Sequence, residues 1–167
     1  MSEADLSKRA TRLLDVCRAR KIKLATAESC TGGLVAAALT EIAGSSDVFD
    51  RGFVTYSNAA KEKMLGVSAD ILKRFGAVSR ETADAMAQGA LAHSDAAVTV
   101  AVTGIAGPGG GSAEKPVGLV HFAAATRDGR SVHLEKRFGK IGRRRVRLRS
   151  VEEALAILHL LAEGGRV

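Results

Sequence analysis

Three short stretches carry residues that could do chemistry together. The first is Ala27-Glu28-Ser29-Cys30-Thr31-Gly32-Gly33. A serine hydroxyl presented where a strand hands over to a helix can act as a nucleophile. The free amides of Thr31, Gly32 and Gly33 at the helix start can stabilise an oxyanion. The second is Thr55-Tyr56-Ser57-Asn58-Ala59-Ala60-Lys61. A lysine in a partly desolvated cleft has a depressed pKa and can take a proton from a serine. Tyr56, the only tyrosine, could hold that lysine or the substrate. The third runs from Thr103 to Gly111, with five glycines in eight residues from Gly104 onward, and glycines let a ligand approach the backbone.

Each stretch also has a plainer reading. Ser29 or Thr31 could simply cap the helix. Lys61 could be an ordinary exposed lysine beside Glu62 and Lys63, and the glycine segment could be a flexible turn. The stringent patterns fail as well. Gly-x-Ser-x-Gly is absent, because Ala27 and Thr31 hold the flanking places. Ala60 occupies the lysine place of a Tyr-x-x-x-Lys pattern, and Gly110 and Gly111 stand where a P-loop needs Lys and Ser/Thr. Cys30 is a competing nucleophile, but as the next residue after Ser29 its side chain is expected to point into the core. His93, His121, His133 and His159 are scattered without ligand spacing, so no metal site is expected.

The surrounding pattern supplies the elements that must position these groups. Ser2 to Arg20 reads as a helix, with Leu6, Ala10, Leu13 and Cys17 at helical spacing. A strand follows over 22–29, then a small-residue helix from Thr31 through Ala43 with Gly44 as its stop. A second strand over 52–57 leads to a helix from about Ala59 to Leu65 that closes at Gly66. Helices are expected over 69–75 and 80–93, the second capped by Ser79. Residues 96–104 are almost uniformly apolar and β-branched, as in a strand buried on both faces. Residues 117–138 read as a hairpin turning at Asp128-Gly129. The last helix is expected from about Gly142 to Glu163, burying Leu148, Val151, Leu155, Leu158 and Ala162.

Five strands with helices between the early ones predict an α/β fold: a three-layer α/β/α sandwich on a mostly parallel five-stranded sheet with one antiparallel strand. The 167 residues suit one domain. In parallel sheets ligands gather outside the carboxyl ends of the strands, so the three stretches should converge at one edge.

The net charge of +7 is concentrated in one place. Lys140, Arg143, Arg144, Arg145, Arg147 and Arg149 lie within ten residues that hold no acid. With five Phe, one Tyr and no Trp, there is little to stack on bases, and nucleic acid is not the expected partner. Arg143, near a helix N-terminus, could meet a phosphate through amides and guanidinium together. No apolar run reaches the roughly 20 residues of a bilayer span, and the first residues lack a signal-peptide core. Two separated cysteines without a Cys-x-x-Cys pair fit reduced thiols. A soluble, cytoplasmic protein that binds no membrane is expected.

Taken together, the segments AESCTGGL, GFVTYSNAAKEKMLGV, VTGIAGPGGG with KPVGLV, and FGKIGRRRVRLRSVEEAL resemble the carboxy-terminal domain of the CinA family. The likeness is to its stand-alone form, the PncC-type nicotinamide-nucleotide amidase, and it runs in order over roughly residues 6 to 161. The resemblance implies hydrolysis of a linear amide C–N bond, converting nicotinamide mononucleotide to nicotinate mononucleotide and ammonia without metal or other cofactor. It implies Ser29 as nucleophile, Lys61 as general base and Tyr56 as a supporting hydroxyl. Thr31, Gly32, Gly33 and Asn58 would contact the oxyanion or substrate, Thr103, Gly104 and Gly107 would line the opposite wall, and Arg143 would meet the phosphate. A homodimer is implied too, whereas the activity of the family's separate amino-terminal domain is not expected. Lys140 departs from the pattern, standing where an acidic residue is expected. The alternative from the residues alone is a non-catalytic, regulatory nucleotide-binding module using the same loops.

Overall fold

The structure is a computed structural model describing residues 3–165; the expected helix start at Ser2 lies outside them. Helix α1 (Glu3–Arg20) buries Ala10, Leu13, Leu14 and Cys17 along one face, as a 3.6-residue period requires. It leads into β1 (Leu24–Glu28). Helix α2 spans only Leu34–Thr40, shorter at both ends than the expected 31–43. Gly32 and Gly33 take φ of 58° and 98°, a left-handed turn that delays the helix. Gly44 is also left-handed, at φ 79°, and starts a 3₁₀ turn over Ser45–Asp47.

Strand β2 (Phe49–Val54) begins and ends three residues earlier than expected. Helix α3 (Asn58–Leu65) follows, capped by Ser57 and closed by left-handed Gly66. Then come α4 (Ala69–Phe75) and α5 (Arg80–Ala92), the latter capped by Ser79 accepting from the Thr82 amide. Strands β3 (Val98–Gly104), β4 (Leu119–Thr126) and β5 (Ser131–Arg137) precede α6 (Arg143–Ala162). Of the expected α6 stripe, Val151, Leu155, Leu158 and Ala162 are buried and Leu148 only partly, while Val146 is buried as well.

The sheet order is β2-β1-β3-β4-β5. β1 pairs in parallel with β2 and β3, whereas β4 is antiparallel to both β3 and β5. The sheet is therefore mixed, with two of its four pairings parallel and β4 running against the other strands. In the parallel part Glu28 is level with Val54 and Val102, so the segments after β1, β2 and β3 leave from one edge.

Side chains of the strands alternate between two apolar clusters. Val98, Val100 and Val102 with Val120 and Phe122 join the cluster built with α1, α2 and α6. Ala27, Ala101, Ala123 and Ala125 join the other, with residues of α3, α4 and α5. Among the described residues no helix is long and apolar enough to cross a membrane.

Candidate active site

Ser29 stands one residue beyond β1, and its amide continues the ladder by donating to the Val102 carbonyl at 2.9 Å. Lys61 lies on α3, one turn in from its cap. The lysine is 1% exposed and Ser29 9%. Lys61 Nζ donates to Ser29 Oγ at 3.1 Å and to the Thr55 carbonyl at 2.8 Å. The plain alternative of an exposed surface lysine is thus excluded.

Burial holds the Lys61 pKa below its ordinary 10.5, because the ammonium loses water; the neighbouring Cys30 opposes this only in part. Both hydrogen-bond partners of the ammonium are neutral groups. Cys30 belongs to the apolar cluster, and desolvation pushes its thiol up to about 12. A protonated, core-facing thiol is not a competing nucleophile.

The helix-cap reading of Ser29 fails because the cap is Glu28. Its buried carboxylate accepts from the amides of Gly33 at 3.0 Å, Val35 at 3.0 Å and Ala36 at 2.8 Å, with the Thr26 hydroxyl at 3.3 Å. The amides at the start of α2 are consequently occupied from within. This corrects the expectation that the Gly32 and Gly33 amides serve an oxyanion: the Gly32 amide donates to the Ser29 carbonyl at 3.0 Å and the Gly33 amide to Glu28. The glycines are needed instead for the turn that swings α2 over Glu28. An acid closing a buried strand four residues before a glycine pair was the signal in the sequence.

Arg147 was not singled out in advance, yet it grips the loop that follows Ser29. Its Nε donates to the Cys30 carbonyl at 3.1 Å and its Nη2 to the Thr31 carbonyl at 2.9 Å. In a trans peptide N–H and C=O point in opposite directions. Holding the Cys30 carbonyl therefore aims the Thr31 amide away from the guanidinium. The Thr31 hydroxyl is buried without a hydrogen-bond partner, as is that of Thr55.

Tyr56 does not hold Lys61. It is 62% exposed, and its hydroxyl accepts from Arg143 Nη2 at 3.0 Å; the Thr55 carbonyl takes the part expected of it. Arg143 also donates to the Gly107 carbonyl at 3.0 Å, tying the loop after β2 to the glycine loop after β3. Asn58 is exposed at the start of α3.

The opposite wall is more committed than expected. The buried Thr103 hydroxyl donates to the Ala77 carbonyl at 2.6 Å. A Cβ at Gly104 would lie 2.7 Å from Val120 Cγ2, and one at Gly107, where φ is 80°, 2.6 Å from Val117 Cγ1. These two glycines let the loop pack on β4 and its approach segment. Among the described residues no three His, Cys, Asp or Glu groups gather in a way that could hold a metal ion. A surface groove along α1 and α6 beside Lys8, Arg9 and Arg12 lies away from Ser29 and Lys61, so side-chain chemistry is what marks the site.

Residues 6–162 match the family model described as the CinA C-terminal domain. The chain belongs to the CinA family. A nicotinamide-nucleotide amidohydrolase, PncC, of Enterobacter agglomerans is 52% identical over 138 residues, which are 83% of this chain and 84% of that protein. A CinA-like protein of a Synechococcus strain is 52% identical over 158 residues, 94% of this chain. The chain spans only 38% of that longer relative's length. Among solved structures, the competence/damage-inducible protein CihA of Agrobacterium tumefaciens superposes with a TM-score of 0.93 at 58% identity, covering 94% of this chain and 95% of its own. The CinA fold therefore brings Ser29 and Lys61 together at one sheet edge, and Arg143 bridges the segments flanking them.

Proposed function

We propose that this CinA-family protein is a serine–lysine amidohydrolase that deamidates nicotinamide mononucleotide in pyridine nucleotide salvage. The observation that carries this reading is the buried 3.1 Å contact between Lys61 Nζ and Ser29 Oγ. The similarity to the Enterobacter amidohydrolase supports the substrate. In the first step neutral Lys61 accepts the Ser29 hydroxyl proton as Oγ bonds to the amide carbon, and the carbonyl electron pair moves to oxygen. The Thr31 amide, aimed by Arg147, is the donor assigned to that oxyanion. Collapse breaks the C–N bond, and the proton on Lys61 leaves with ammonia. Water then attacks the acyl carbon, giving a proton to Lys61; collapse breaks the C–Oγ bond, Lys61 returns that proton to Ser29 Oγ, and the released acid ionises to carboxylate.

Arg143 opens α6 and has N–H groups beyond those given to Tyr56 and Gly107, which suits a substrate phosphate at the mouth of the site. The Ser–Lys pair requires no metal, so activity is expected to persist in chelator. The homodimer implied by the resemblance and a cytoplasmic location are carried forward as parts of this reading, the former open to light scattering.

Incubation with nicotinamide mononucleotide tests the reading. Ammonia release by the wild type, lost in Ser29→Ala while substrate binding is retained, supports it. Binding without release by the wild type overturns it in favour of a regulatory nucleotide-binding module.

A further inference from the structure

The distance between Ser29 and Lys61 depends on how α3 sits relative to the sheet, because Ser29 extends β1 and Lys61 rides on an eight-residue helix. Helix α5 is the element between them. It packs against β1, β3 and β4 and also against α3. Ala83, Met86, Ala87 and Ala90 of α5 are buried in the cluster on that face of the sheet, and the Thr99 hydroxyl of β3 donates to the Ala87 carbonyl at 2.9 Å. α5 is thus anchored to the sheet that holds Ser29.

At Gly89 of α5 the backbone of α3 comes closer than any side chain would permit. A Cβ built there would lie 2.0 Å from the Leu65 carbonyl oxygen, 2.8 Å from its carbon and 2.9 Å from Leu65 Cβ. Leu65 follows Lys61 by four residues, so both lie on one face of α3, one turn apart. The Gly89 carbonyl, for its part, receives the His93 amide at 3.0 Å and faces His93 Nδ1 at 2.8 Å, which fixes the end of α5 at the same place.

We propose that Gly89 is a positioning residue for the site: its missing side chain lets α3 seat against α5 and so sets the reach of Lys61 Nζ to Ser29 Oγ. The inference rests on the Ser–Lys reading above. A methyl group at 89 forces the Leu65 carbonyl to retreat by about 1 Å to reach even the tightest tolerated contact. Displacements of about 1 Å at a reacting pair cost on the order of 10²-fold in rate. Helix propensity predicts the opposite outcome, since alanine is a better helix former than glycine, so the two effects separate cleanly.

The test uses a fluorophosphonate probe, which reports activation of Ser29 whatever the natural substrate. The serine oxygen bonds to phosphorus, fluoride leaves, and the hydroxyl proton passes to Lys61. Labelling of Ser29 is followed by mass spectrometry alongside ammonia release and thermal unfolding. Gly89→Ala is expected to label about 10- to 100-fold more slowly, with kcat falling in step and KM little changed. Gln88→Ala, at the exposed neighbouring position, should match the wild type. In a Lys61→Met background, Gly89→Ala should slow labelling no further, because its effect runs through the lysine.

If Gly89→Ala does not fold, Gly89→Ala with Leu65→Ala, which trims the Leu65 side chain beyond its Cβ and so loosens α3 where it packs in the cluster with α5, is compared with Leu65→Ala alone. The pair labelling at least tenfold more slowly than Leu65→Ala supports the proposal, and equal rates overturn it. Wild-type labelling rates in folded Gly89→Ala overturn it as well. Wild-type labelling without ammonia release leaves this inference standing and removes the amidase reading instead.

Discussion

Arg147 Nε donates to the carbonyl oxygen of Cys30 at 3.1 Å, although 117 positions separate the two residues. The last helix thereby holds the Cys30–Thr31 peptide just beyond Ser29, and the Thr31 amide is aimed by a contact made on the other side of its own peptide group. Removal of the guanidinium should loosen that amide. Arg147→Ala is expected to lower kcat by about 10²-fold, the scale of a lost oxyanion donor. Arg147→Lys should recover little, because a single ammonium cannot span two carbonyls as the planar fork does. Steady-state kinetics on the two variants checks this, and an unchanged kcat in Arg147→Ala would remove Arg147 from the mechanism.

Activity should rise with pH through the titration of Lys61, since only the neutral amine accepts a proton. Because burial lowers its pKa, the rise should come below the ordinary lysine value of 10.5. The same shift predicts stability. The folded state releases this proton at lower pH than the unfolded chain, so between the two pKa values the unfolded state binds more protons and stability increases with pH. Below the folded pKa both states are protonated and the desolvation penalty is fully present. Urea unfolding at several pH values should show the wild type gaining on Lys61→Met across that window. Parallel stability curves for the two proteins would contradict the assignment.

Glu28 is expected to be a stability residue more than a chemical one. Glu28→Ala leaves three amides of the α2 turn without their acceptor, a loss of about 3 kcal/mol on the scale of buried unpaired donors. Glu28→Gln keeps one acceptor oxygen and should fall between. Denaturant unfolding at neutral pH measures both, and a Glu28→Ala protein as stable as the wild type would refute the capping role.

Tyr56→Phe should change kcat by no more than about fivefold, because the exposed hydroxyl meets Arg143 and not Lys61, and exposed charged contacts are worth about 1 kcal/mol or less. Arg143→Ala should instead raise KM for the phosphorylated substrate and leave the unphosphorylated nucleoside unaffected. A comparison of kcat and KM on the two substrates separates these roles; a large kcat loss in Tyr56→Phe would return the hydroxyl to the chemistry.

Much of the fold was legible because its signals are local. Helical spacing marked α1 and α6, Ser79 marked the start of α5, Gly66 the end of α3, and Asp128-Gly129 the hairpin. The errors arose where a longer-range contact overrode local pattern. α2 starts late because Glu28 draws its amides into a turn that needs left-handed glycines; the one antiparallel strand was expected from the hairpin, but the place of β4 between β3 and β5 leaves only two of the four pairings parallel.

The sequence by itself determined the element types, the three polar segments and the family, since periodicity, turn chemistry and motif order are properties of neighbouring residues. Only the tertiary structure decided which groups are free to act. Lys61 rather than a helix amide meets Ser29, Glu28 consumes the donors that Gly33 and its neighbours seemed to offer, Thr55 rather than Tyr56 holds the lysine, and Arg147 reaches the Cys30 carbonyl. Hydrogen bonding saturates, and its partners are chosen by distances of about 3 Å between segments far apart along the chain, which no local pattern encodes.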